Sequence, residues 1–141
     1  MSKKWTQRFL QMAELVGSWS KDPSTQVGAV ITQKNRIVSV GFNGYPNGIA
    51  DSAETDEREM KYLKTIHAEE NAILFAKRDL KDCEIWVTHF PCPNCAAKII
   101  QTGISMVHCP KQTDDFLSRW GEKIKISEDM FTQAGVTVHW V

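Results

Sequence analysis

Four side chains can do chemistry together. His67, followed after Ala68 by Glu69, lies 25 residues ahead of Cys92, which opens Cys92-Pro93-Asn94-Cys95 behind Pro91. One imidazole and two thiolates are ligands of the kind zinc takes, and three protein ligands leave the fourth tetrahedral position to water. That is the layout of a catalytic metal site rather than a closed structural one. Side chains two apart diverge on a regular helix, so His67 is expected at a helix edge, with Glu69 free to move protons without ligating the metal. Both segments are expected to open helices, whose N-termini stabilise thiolates and other anions. Two other readings compete: Cys92/Cys95 as a redox pair, and a four-ligand structural zinc. Cys83 and Cys109 lack the pairing a structural site needs, and His89 offers a fourth ligand only by accident of position.

The elements that must position these groups follow from periodicity. Trp5, Phe9, Met12, Val16 and Trp19 form one apolar stripe of a helix ending near Gly17–Ser18. Val27–Thr32 is β-branched and apolar, Lys34-Asn35-Arg36 turns, and Ile37–Val40 returns, which predicts a hairpin with its first strand buried. Residues 41–56 read as a loop able to carry binding groups. A helix is expected over 67–77, a strand over 85–88, and a helix beginning at Pro93 and stopping at Gly103. A strand is expected over 105–109. Residues 110–126 show no assignable element beyond charged surface. Ser127 is placed as the cap of a last helix ending at Gly135, and 136–140 as a final strand. The order α-β-β-α-β-α-β-α-β predicts an α/β fold: one domain over 1–141 with a mixed five-stranded sheet between helices.

Composition narrows the function classes. The 141 residues are 42% hydrophobic and 24% charged, with 17 basic and 17 acidic side chains. Net neutrality argues against a domain held to nucleic acid by a broad basic surface. Residues 1–50 carry six basic and two acidic groups, so a small anionic ligand remains compatible. No run approaches the ~18 apolar residues of a membrane span, and Met1–Phe9 lacks the apolar core of a signal peptide, so no membrane partner and a cytoplasmic setting are expected.

The combination H-x-E…P-C-x-x-C is the signature of zinc nucleobase deaminases. Around it, Lys21–Val30 (KDPSTQVGAV), Gly41–Gly48 (GFNGYPNG), His67–Ala76 (HAEENAILFA) and Pro91–Gly103 (PCPNCAAKIIQTG) resemble the deoxycytidylate deaminases of the cytidine deaminase superfamily, phage members included. The resemblance implies a three-layer fold and zinc-dependent hydrolysis of dCMP to dUMP and ammonia, feeding dTMP synthesis. The same chemistry on dCTP or another cytosine nucleoside or nucleotide is the alternative. It implies His67, Cys92 and Cys95 as zinc ligands, Glu69 as proton shuttle, and Asn43 as a sugar contact that helps seat the base. Ser24 and Thr25 become nucleotide contacts, Arg78 a substrate contact across a subunit boundary, and Arg119 a phosphate candidate. It further implies activation by dCTP and inhibition by dTTP, with Mg²⁺, near Gly44, Tyr45 and Pro46, in a homohexamer. No cysteine precedes Cys83, so one zinc per subunit is expected.

Plainer roles stand beside these. Asn43, Ser24 and Thr25 are also common turn residues, and Arg78 with Asp79 could end a helix in solvent. Phe75 and the five tryptophans are expected in the core, Cys83 and Cys109 as small buried residues, and His108 and His139 without function. Residues 110–126 match no block of the family.

Overall fold

The computed structural model describes residues 2–141, and among these described residues the chain forms five helices and one five-stranded sheet. Helix α1 (Lys3–Gly17) buries Phe9, Ala13 and Val16. The β-branched run becomes β1 (Gly28–Gln33), which turns through Lys34 and Asn35, both at positive φ (50° and 61°), into β2 (Arg36–Phe42). Two left-handed residues in a tight loop match the twist of the strands they join. Strands β3 (Glu84–Val87), β4 (Met106–Cys109) and β5 (Thr137–Trp140) complete the order β2-β1-β3-β4-β5. The β1–β2 and β1–β3 pairs are antiparallel, and β3–β4–β5 are parallel, so the sheet is mixed as predicted.

Alternation along the strands makes the layers. Val30 and Trp86, paired in register, pack with Phe9 and Ala13 of α1 on one face. Their neighbours Ala29, Ile31, Ile85 and Val87 face the other way. There they meet Ala68 and Ala72 of α3 (Ala68–Ala76), Ala96 and Ile99 of α4 (Pro93–Thr102), and Ile124 and Phe131 of α5 (Asp114–Ala134). This buries β1 on both faces, in agreement with its uninterrupted apolar run. At Gly41 the approach of α3 to β2 is close: a Cβ there would overlap the Ala68 carbonyl and the Ala72 amide and lie 3.0 Å from Ala72 Cα.

The C-terminal half departs from expectation. Helix α5 begins at Asp114, capped by Thr113, whose hydroxyl accepts from Phe116 N at 3.1 Å. Ser127 is therefore no cap; it lies buried in mid-helix with its hydroxyl unpartnered among the described residues. Phe116, Trp120, Ile124, Ser127 and Phe131 form the inward stripe, and the charges of 114–129 take the opposite face. A short helix α2 (Arg58–Lys64), to which no element is assigned above, precedes His67. The aromatic expectations also need correction. Trp86 is core, but Trp19 and Trp140 are exposed, and Phe75 is 58% exposed on the outer side of α3. No helix is long and apolar enough to cross a membrane among the described residues.

Candidate active site

Two helix starts build the centre. His67 is the N-cap residue of α3 and Cys92 that of α4, each with extended backbone (ψ 157° and 165°), and Pro93 fills the first position of α4. The expected edge position of His67 is thus met, and Glu69 falls in the first turn of α3. The two helices are tied beside the site. Glu70 accepts from the His67 amide at 3.0 Å, and its other oxygen accepts from Lys98 Nζ of α4 at 2.6 Å.

His67 Nδ1 lies 3.2 Å from Cys95 Sγ and 3.6 Å from Cys92 Sγ. All three ligand atoms fall within 4.8 Å of one another, and no other group of three potential ligands occurs among the described residues. Tetrahedral zinc with Zn–S of about 2.3 Å and Zn–N of about 2.0–2.1 Å separates its N and S ligands by roughly 3.5 Å. The donor set and its spacing therefore fit zinc. The Cys92 thiol is held down to about 4, first by its hydrogen bond with the Cys95 thiol and then by His67, which makes it a thiolate at neutral pH. His89 is not part of the cluster: its Nδ1 lies 2.8 Å from Thr88 Oγ1 and its ring tilts against Phe116. Cys83 and Cys109 are buried and unpaired, as expected.

Glu69 is 4% exposed, and its burial pushes the carboxyl up to about 7. A carboxyl tuned near neutrality can both take and return a proton. It opens on a cavity of about 190 Å³ that His67 and Cys92 also line, walled by Val27, Phe90, Phe116 and Trp120. The last two come from α5, a contribution that only the i,i+4 spacing of Phe116 and Trp120 behind Thr113 could have signalled.

The remaining candidates divide by position. Asn43 is buried in the cavity wall with both ends of its amide engaged: Oδ1 accepts from Val27 N at 2.9 Å and Nδ2 donates to Thr25 O at 2.9 Å. Ser24 and Thr25 line the same cavity, their amides donating to Asp22 Oδ1 at 2.8 and 3.1 Å. Both also line an adjoining polar cavity of about 500 Å³ that Lys111 and Arg119 share. Arg119 pairs there with Asp115 at 3.1 Å. Gly44, Tyr45 and Pro46 line a third cavity of about 360 Å³, which has Asp22, Asn43 and Thr65 in common with the first. Arg78 lies apart from these cavities, donating to Gln33 Oε1 at 2.9 Å, at the end of β1 remote from Val27.

Residues 3–110 match the cytidine and deoxycytidylate deaminase zinc-binding region. The chain is 81% identical over its full length to an uncharacterized deaminase in the luxG 3′ region of Aliivibrio fischeri, covering 96% of that protein. It is 42% identical over 112 residues to human deoxycytidylate deaminase, using 74% of this chain and 63% of the human one. The structure of dCMP deaminase from cyanophage S-TIM5 in complex with dCMP and dUMP superposes with a TM-score of 0.79 at 25% identity, covering 100% of this chain and 99% of that one. The matched region contains the His67, Cys92 and Cys95 cluster and Glu69, and the fold around them agrees. The chain belongs to the cytidine and deoxycytidylate deaminase family.

Proposed function

We propose that this protein is a zinc-dependent hydrolase converting dCMP and water to dUMP and ammonia. The observation that carries the reading is the buried Glu69 carboxyl, poised near neutrality at a cavity that His67 and Cys92 of the His67–Cys92–Cys95 cluster also line. The names of the relatives, and the dCMP and dUMP held by the cyanophage enzyme, support cytosine deoxynucleotide as the substrate class.

His67 Nδ1 and the Cys92 and Cys95 sulfurs would hold one zinc per subunit, which when bound acidifies water and strengthens it as a nucleophile. Glu69 takes a proton from the attacking water and passes it to N3 as the new C–O bond forms at C4. It then takes the proton of the new hydroxyl and gives it to the amino group. The C4–N bond breaks, ammonia leaves, and C4=O with N3–H remains, so atoms and charge balance. Apolar walls from Val27, Phe90, Phe116 and Trp120 would seat the base out of bulk water, which strengthens the polar contacts made beside Glu69. The polar cavity alongside suits the 5′-phosphate, with Ser24 and Thr25 hydroxyls and the Lys111 and Arg119 cations as donors. Asn43 would contact the sugar with the lone pair and N–H its framework bonds leave free.

The wider reading assigns the cavity of Gly44, Tyr45 and Pro46 to dCTP as activator and dTTP as inhibitor. Lys21 in its wall, paired with Asp51 at 2.9 Å, suits phosphates, and an accompanying Mg²⁺ would ride on the nucleotide's own phosphate oxygens. Exposed Leu63, Leu74 and Phe75 favour self-association, read as a hexamer of single-domain subunits in which Arg78 serves a neighbour's site. Ammonia release from dCMP, dCTP, deoxycytidine and cytidine, with and without dCTP and Mg²⁺, tests the substrate and the regulation. Turnover of dCMP stimulated by dCTP is the expected result. Turnover of none of the four overturns the substrate, and equal rates without stimulation overturn the regulation.

A further inference from the structure

Lys61 is 8% exposed, yet it is a lysine on the short helix α2, six residues before His67. Lysine is almost never buried unless paired. Its Nζ donates to Asp22 Oδ1 at 3.2 Å and to Ser24 Oγ at 3.0 Å, and the Asp22 side chain is only 11% exposed. Asp22 Oδ1 is at the same time the acceptor for the Ser24 and Thr25 amides. The charge pair therefore sits at the hub of the turn that places Ser24 and Thr25 where the catalytic cavity meets the polar one. The network closes on the other side as well. Thr25 O accepts from Asn43 Nδ2, the neighbouring Gly44 exchanges backbone hydrogen bonds with Ile66, and the Lys61 carbonyl accepts from Thr65 N at 3.0 Å.

We infer that the buried Lys61–Asp22 pair is a positioning element for substrate binding, fixing the Ser24–Thr25 turn and the segment leading into His67 as one rigid wall. A neutral hydrogen-bonded turn of the same shape would need no lysine; the cation clamps the carboxylate that holds the turn. Removing Lys61 alone leaves Asp22 buried without its counter-charge, so the turn loosens toward water. The wall contacts substrate before and during reaction alike, so its loss weakens uniform binding and raises KM more than it lowers kcat. This rests on the dCMP reading above for the identity of the substrate, but not for the state of the turn.

The test therefore uses two readouts on the full-length, zinc-loaded protein and on Lys61→Met, Lys61→Arg and the charge-free Lys61→Met/Asp22→Asn variant. Amide hydrogen exchange at Ser24, Thr25 and Val27 is expected to speed up by about tenfold or more in Lys61→Met, with amides of the β1–β3 core unchanged. KM for dCMP is expected to rise by about tenfold with kcat within about threefold. Lys61→Arg should recover most of both effects. The double variant, which needs no buried counter-charge and so is the safer fold, should keep the raised KM. Unchanged exchange at the turn, or a loss of kcat at unaltered KM, overturns the inference. Faster turn exchange in Lys61→Met with no turnover of dCMP by the unmodified protein upholds the clamp and overturns the substrate.

Discussion

Replacing Gly41 by alanine should damage activity through packing alone. A Cβ at Gly41 would overlap the Ala68 carbonyl and the Ala72 amide and stand 3.0 Å from Ala72 Cα, all backbone atoms of α3 that no rotamer change can clear. Restoring ordinary contact must lift α3 from β2 by roughly 1 Å, an overpacking strain of about 1–3 kcal/mol. For a chain of this size that is a fall in Tm of roughly 3–10 °C. Helix α3 carries Glu69 and begins at His67, whereas Cys92 and Cys95 ride on α4, so the same shift moves the Glu69 carboxyl against the two cysteine sulfurs. A misplacement of about 1 Å costs on the order of 100-fold in rate. The assay pairs thermal unfolding with kcat/KM for dCMP and zinc content per chain on one preparation. A variant within about 2 °C and twofold of the unmodified protein refutes the close-packing argument.

Other expectations are separate from this one. Glu69→Gln keeps the shape of the buried side chain but cannot carry a proton, so it should lower kcat by about 10²–10⁴-fold while zinc content by metal analysis stays at one per chain; loss of zinc instead would make Glu69 a ligand. Ser127→Ala removes a buried hydroxyl with no partner and adds helix propensity in mid-α5, so it should stabilise by about 1 kcal/mol, and a drop in Tm would reveal a hydrogen bond from Ser127. His108 is fully buried, stacked on Trp86 at 3.6 Å, and burial pushes its pKa below 6.5. The unfolded chain takes up that proton first, so the stability tied to neutral His108 is complete above pH 6.5 and is lost as pH falls from there toward the lowered folded value. Unfolding followed by circular dichroism across this pH range should show this loss, and His108→Gln should flatten it; an unaltered slope would place the titration elsewhere.

The legible and illegible parts of this molecule differ in kind. The hairpin, the buried first strand, the helix starts at His67 and Cys92 and the stop at Gly103 were readable because each rests on local chemistry. Period-2 alternation, a proline at the first helical position and glycine at a left-handed stop act within a few residues. Helix α5 is hard to read from sequence for a local reason too. Lys, Glu and Asp dominate 111–129, and Gly121 interrupts the run, so the inward stripe of Phe116, Trp120 and Ile124 shows itself only when the apolar positions are counted alone. Ser127 therefore stands out as a cap where Thr113 is the true one, and the aromatic wall that α5 contributes to the cavity stays hidden.

By itself the sequence singled out His67, Cys92 and Cys95 as a donor set and Glu69 beside it, because residue type and local spacing within two short segments carry that signal, and the fold brings the two segments together. What tertiary structure alone decided is how the remaining polar residues are used. It engages both ends of the Asn43 amide in the wall, sends Arg78 to the far end of β1, and brings Lys61 to Asp22 across 39 residues of chain. Such pairings are set by which surfaces the sheet order brings together. A buried charge is stable only where a partner from another element meets it, and no local pattern records that meeting.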